Sequence, residues 1–93
     1  MTDIDQRRRR AAYRAAHRGT KEMDWLLGRY AEARVSTMDD PELLELEDFI
    51  MVPDPDLQGW LLEGTPADQP YVPLVARIRA FHGLDAPTDK ARA

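Results

Sequence analysis

The 93 residues include no cysteine and a single serine, Ser36. Disulfides, thiolate metal sites and cysteine nucleophiles are thereby excluded. No Gly-x-Ser-x-Gly elbow and no glycine-rich phosphate cradle is present either. Histidine is scarce: His17 and His82 stand alone, with no His-x-x-x-His or Glu-x-x-His pair, so a metal site would have to be built from acids alone. No apolar run approaches the roughly 18–20 residues that span a bilayer. Polar residues and arginines fill the first ten positions, where a secretory leader would carry its apolar core. An arginine-rich start is compatible with a transit peptide, but Asp3 and Asp5 are wrong for one, and the arginines run on into a helical pattern. Together these absences predict no metal, no membrane insertion and no catalytic residues. A thin helical layer also leaves little room for a water-excluding pocket. The expected protein is not an enzyme and resides in the cytoplasm.

What is present is charge, unevenly placed. The net charge is −4. Residues 7–34 hold nine Lys or Arg against Glu22, Asp24 and Glu32, whereas residues 36–69 hold ten acids and no base. A basic front half joined to an acidic back half orients and steers partners.

Helical periodicity accounts for most of the chain, and no strand pattern occurs. Thr2 and Asp5 are spaced as a capping box, and Arg and Ala carry a first helix to His17, with Ala12, Tyr13 and Ala16 as its narrow apolar stripe. Gly19 breaks that pattern, and Thr20 is placed to cap the next helix. The second helix runs from Lys21 to Arg34 with Met23, Leu26, Leu27, Tyr30 and Ala33 on one face. Trp25 falls off that face, and Gly28 in mid-helix suggests close approach of a neighbouring helix. Asp39 or Asp40 caps a third helix with Pro41 in its first turn. That helix buries Leu43, Leu46, Phe49 and Ile50 and ends at Pro53. A fourth opens at Asp54-Pro55-Asp56, buries Leu57, Trp60 and Leu61, and stops at Gly64. A fifth begins between Pro70 and Pro73, buries Leu74, Val75, Ile78 and Phe81, turns Arg77 and Arg79 outward, and stops at Gly83. The expected fold is all-α, a small five-helix bundle in one domain over residues 1–84, with a disordered tail over 85–93.

Four consecutive arginines, Arg7 to Arg10, raise the question of nucleic acid. A nucleic-acid binder shows basicity across its domain. This chain does not, and no aromatics interleave the run. The remaining surface of note is the corner Arg18-Gly19-Thr20-Lys21-Glu22-Met23-Asp24, where four charges flank the break between the first two helices. By itself it reads as a solvated cap or as a recognition surface. Alternatives at this level are a small helical nucleic-acid-binding module or a generic protein-interaction module. A salt-dependent shift with DNA or RNA would mark the first.

The corner resembles the Arg-Gly-x-x-Glu-(Leu/Met)-Asp motif of the FAD assembly factor SdhE family, whose mitochondrial members are succinate dehydrogenase assembly factor 2. Asp54-Pro55-Asp56-Leu57, Trp60-Leu61 and Gly64-Thr65-Pro66-Ala67-Asp68 resemble that family's second conserved block. The resemblance runs from about Arg8 to Leu84. It implies a small helical-bundle chaperone that binds the flavoprotein subunit of succinate dehydrogenase, or of fumarate reductase, and promotes covalent attachment of FAD to a client histidine. The client's own groups would make the bond, through attack on the 8α-carbon of a quinone-methide tautomer of the flavin. No cofactor would be held stably by the chain itself. Arg18, Gly19, Glu22 and Asp24 become the expected partner-binding residues, with Arg8 and Trp25 at the margin of the surface. The setting implied is the bacterial cytoplasm, or the mitochondrial matrix in a eukaryote.

Overall fold

Side-chain caps start the helices of the first half. Thr2 accepts the Asp5 N–H at 3.3 Å while the Asp5 carboxylate reaches back to the Thr2 N–H, completing a capping box. The helix that follows, α1, spans Asp3–Ala16. Thr20 accepts the Met23 N–H at 3.3 Å and opens α2, Lys21–Arg34. A 3-10 turn, Val35–Thr37, leads to Asp39. Asp39 and Glu42 form a second capping box, with bonds of 3.0 and 2.9 Å, at the head of α3, Asp40–Ile50. Each cap satisfies N–H groups that the helix cannot satisfy internally and is worth about 1 kcal/mol. The remaining helices are α4, Asp54–Leu62, and α5, Val72–Phe81, the latter preceded by a 3-10 turn over Gln69–Tyr71.

This computed structural model describes residues 2–84; the tail expected over 85–93 lies outside them. The expected all-α architecture of five helices is what it shows, and no strand occurs among the described residues. The chain divides into two compact units, the first ending at Asp54 and the second beginning at Pro55.

In the first unit α1 packs on both α2 and α3. Its buried side chains are Ala11 and Ala15, not the predicted stripe of Ala12, Tyr13 and Ala16. Tyr13 is 65% exposed. Small alanines let α1 lie close to α2, and the closest point is Gly28. A Cβ at Gly28 would stand 2.9 Å from the Ala16 Cβ and 3.0 Å from its Cα. The cost of about 1 kcal/mol for glycine in a helix is thus offset by the approach it permits. On α2, Met23, Leu26, Leu27 and Tyr30 are buried as predicted, but Ala31 rather than Ala33 completes the face. Arg7 joins α1 to α3 through Glu47, at 2.8 Å, and Asp40. Hydrogen bonds to Glu47 first, then to Asp40, raise its already high pKa.

In the second unit Leu57, Trp60 and Leu61 of α4 and Leu74, Val75 and Ile78 of α5 are buried. Phe81, predicted to join them, sits at the helix end and is exposed. Gly83, at φ +72°, ends α5 in a Schellman arrangement, with Leu84 N–H to Arg79 O at 2.8 Å and Gly83 N–H to Ala80 O at 3.1 Å. Arg79 does not point outward as predicted. Its guanidinium donates to the carbonyls of Leu61 and Leu84, satisfying carbonyls that a helix end leaves open.

The first capping box carries a pH signature. The Thr2 hydroxyl, then the Thr2 N–H, and more weakly Arg8, hold the Asp5 carboxyl below its ordinary range. A group with a depressed folded pKa stabilises above its unfolded value, about 3.9. That stability is lost as pH falls through the folded value. Thermal melts are expected to fall as pH drops below about 4, and Asp5→Asn should flatten part of that decline. An equally steep decline in the variant would exclude Asp5 as a contributor.

Candidate functional site

The corner between α1 and α2 is built from backbone outward. The α1 hydrogen-bond ladder closes with the His17 N–H on Arg14 O at 3.3 Å. Three residues then reverse the chain, and Gly19 takes φ +120°, a value L side chains rarely adopt. Asp24, a turn into α2, reaches back over the loop. Its Oδ1 accepts the N–H of Arg18 and, at 3.2 Å, the N–H of Gly19. A Cβ at Gly19 would meet nothing within 4 Å. The glycine is therefore required by its backbone angle, and the space above it is open.

Arg18 turns the other way. Its side chain is only 10% exposed. Nε donates to Asp54 at 2.7 Å, one terminal nitrogen to the Ile50 carbonyl, and the other to the Val52 carbonyl at 2.6 Å. A cation this buried is tolerable only when paired and hydrogen-bonded, and here all three nitrogens are engaged. The residues that face outward at the corner are Gly19, Thr20, Lys21, Glu22 and Trp25. Glu22 has no hydrogen-bond or ion-pair partner among the described residues. Trp25, one turn further along α2, is 50% exposed.

Arg8 lies apart from this group. It stands ten residues before Arg18, almost all along α1, or about 15 Å of helix at 1.5 Å per residue. It donates to Asp5 at 3.2 Å and to the Met38 carbonyl at 2.7 Å, while its Nε is buried without a partner among the described residues. Arg8 borders an open depression of about 710 Å³ walled also by Arg9, Glu32 and Ser36. The structure therefore brings Gly19, Glu22 and Trp25 together as outward groups. Arg18 and Asp24 lie behind them, and Arg8 sits at the far end of α1.

Two features escaped the sequence reading. Tyr13 and His17, one turn apart at the end of α1, stack with ring centroids 4.0 Å apart and 18° between planes. Nδ1 of His17 donates to the Tyr13 carbonyl at 2.7 Å, which leaves Nε2 as the acceptor in the neutral ring. The i, i+4 spacing of two aromatic rings was the available signal. The second is Asp54 as the partner of Arg18, which the sequence shows only as a helix-capping residue. Both residues lie inside the two motif blocks, and that coincidence was the only trace of their contact. Among the described residues no group of three or more His, Asp or Glu is arranged to hold a metal. No described helix is long and apolar enough to cross a membrane.

The chain matches known proteins over most of its length. The sequence model of a family described as "Flavinator of succinate dehydrogenase" matches residues 9–82. The chain is similar to the FAD assembly factor SdhE of Acetobacter pasteurianus, 41% identical over 77 residues that cover 82% of this chain and 71% of that protein. It is also similar to the mitochondrial succinate dehydrogenase assembly factor 2 of Dictyostelium discoideum, 24% identical over 92 residues, 99% of this chain and 65% of that protein. No solved structure gives a significant match.

Proposed function

The chain belongs to the family of flavinators of succinate dehydrogenase, and from that premise we propose that it binds the flavoprotein subunit of succinate dehydrogenase and promotes covalent attachment of FAD to it. The observation that carries this reading is the family match over residues 9–82, which takes in both motif blocks. The surface supports it: an outward corner with a carboxylate that has no partner among the described residues and a half-exposed tryptophan is the kind of patch that proteins use to hold one another. The flavoprotein of fumarate reductase is a second client of the same chemistry. The work is done where such clients mature, in the bacterial cytoplasm or the mitochondrial matrix.

In this reading the protein is a chaperone and not an enzyme. FAD is the client's cargo, and no cofactor resides on the chain. Gly19, Glu22 and Trp25 make the contact, Arg18 and Asp24 frame it, and Arg8 belongs to a peripheral region at the other end of α1. What the chain supplies is geometry: holding reacting groups in register lowers a barrier without any catalytic side chain.

The test is purification of the flavoprotein subunit from cells with and without this protein, with covalent flavin read by in-gel fluorescence. Covalent flavin should fall sharply without it, and equal labelling in both would overturn the proposal. Glu22→Ala should lower labelling when the assembly factor is limiting, on the order of tenfold for the loss of a charge-assisted hydrogen bond, with the melting temperature unmoved because the carboxylate has no partner among the described residues. Full labelling by the variant would remove Glu22 from the contact.

A further inference from the structure

We infer that Arg18 is a positioning residue, which latches the Gly19 corner to the linker between α3 and α4 and acts on the partner through the shape of that corner without touching it. The inference rests on the functional reading above and concerns how that surface is made.

The geometry is specific. The main chain of Arg18 is gripped by α2, through the carboxylate of Asp24 on its N–H. Its side chain is gripped by a different part of the unit, the last residue of α3 and the four residues that follow it, through the carbonyls of Ile50 and Val52 and the carboxylate of Asp54. These partners are 32 to 36 residues away in sequence. One residue thus ties the α1–α2 corner to the end of α3. Gly19 is its immediate neighbour and shares the same Asp24 oxygen. Movement of the latch must therefore pass into the backbone at the residue with positive φ. With the side chain only 10% exposed and each of its three guanidinium nitrogens already donating within the chain, the group is turned inward, away from the face a partner would meet. The task also demands arginine. Three acceptors at separate points match a planar fork, whereas the lysine ammonium is one point charge on a flexible stem.

The test is a double-mutant cycle. Affinity for the isolated flavoprotein subunit is measured for the wild type, Arg18→Lys, Asp54→Asn and the double variant, well below their melting temperatures and with helix content checked by circular dichroism. Each single change should weaken binding by a similar factor, on the order of tenfold, and the double variant should bind no worse than either single, because all three break one latch. A change of stability alone would move the melting temperature and leave the affinity of the folded protein where it was. Weaker binding by Arg18→Lys with full binding by Asp54→Asn would place Arg18 in the contact and overturn the inference. Full binding by both would overturn it as well. If the wild type itself fails to bind the flavoprotein, the functional reading falls, and the inference with it. Asp54→Asn keeps the size of the side chain but removes the negative charge that holds the guanidinium, so it loosens the latch and also serves alone should the lysine variant not fold. Amide hydrogen exchange at Gly19 should then speed up, and unchanged exchange would show that the latch does not reach the corner.

Discussion

Gly19→Arg is expected to abolish capture of the flavoprotein while leaving the helices in place. Two physical effects combine at this position. The backbone stands at φ +120°, and forcing a side chain onto such a conformation costs on the order of 1–3 kcal/mol. The strain is local, because a Cβ there meets nothing within 4 Å and the core is not invaded. The new side chain instead projects into the open space beside Glu22 and Trp25, where the proposed partner contact lies. Stability falls modestly and binding is lost. The measurement is a pull-down of the flavoprotein subunit alongside far-UV circular dichroism. Retained binding would show that the partner does not approach Gly19. Lost helix content would place the importance of the glycine in folding.

Gly28 presents the opposite case, a glycine whose replacement damages the fold first. Ordinary carbon contacts lie near 3.5–4.0 Å, yet a Cβ at Gly28 would stand 2.9 Å from the side chain and 3.0 Å from the backbone of Ala16. Neither atom belongs to a flexible side chain that can swing away, so α1 and α2 must separate. Gly28→Ala gains about 1 kcal/mol in helix propensity and loses roughly 1–3 kcal/mol to overpacking, so a net loss is expected. Gly28→Val adds two further carbons and forgoes most of that propensity gain. At about 4–8 °C per kcal/mol for a chain of this size, the valine variant should melt at least about 10 °C below the wild type. A thermal melt decides it, and a stabilised Gly28→Ala would contradict the close approach. Because Ala16 is the last residue of α1, the same change should also displace the corner and weaken partner binding.

The sequence carries the helices well and the side-chain directions poorly. The ends of α2, the Asp39 cap and the buried face of α3 are short-range matters of capping and periodicity, and they lie where residue order places them. The close approach at Gly28 was legible too, because a glycine in mid-helix has few other uses. The face of α1 was misread because it is made of alanine. Ala11 and Ala15 are no more apolar than Ala12 and Ala16, so only the packing partners decide which pair is buried, and Tyr13 drew the stripe to the wrong side. Arginine is harder still. By sequence Arg18 reads as a partner-binding residue and Arg79 as an outward charge, yet both fold onto backbone carbonyls at helix ends. Such an acceptor leaves no mark in composition, because any residue's carbonyl serves. At the corner the motif was visible as a string of residues, but its division into outward groups and framing groups was not.

The Asp24 bridge has a consequence for the partner encounter. Freezing a flexible backbone costs about 1–2 kcal/mol per residue, so a loose loop at positions 17–20 would subtract roughly 4–8 kcal/mol from any association that required one shape. Here two successive N–H groups already rest on one carboxylate, and Thr20 is committed to capping α2. The ordering was completed when the chain folded. As the proposed contact, the corner would meet its partner as a rigid template, and substitutions that loosen it should show in how long the complex lasts more than in how fast it forms.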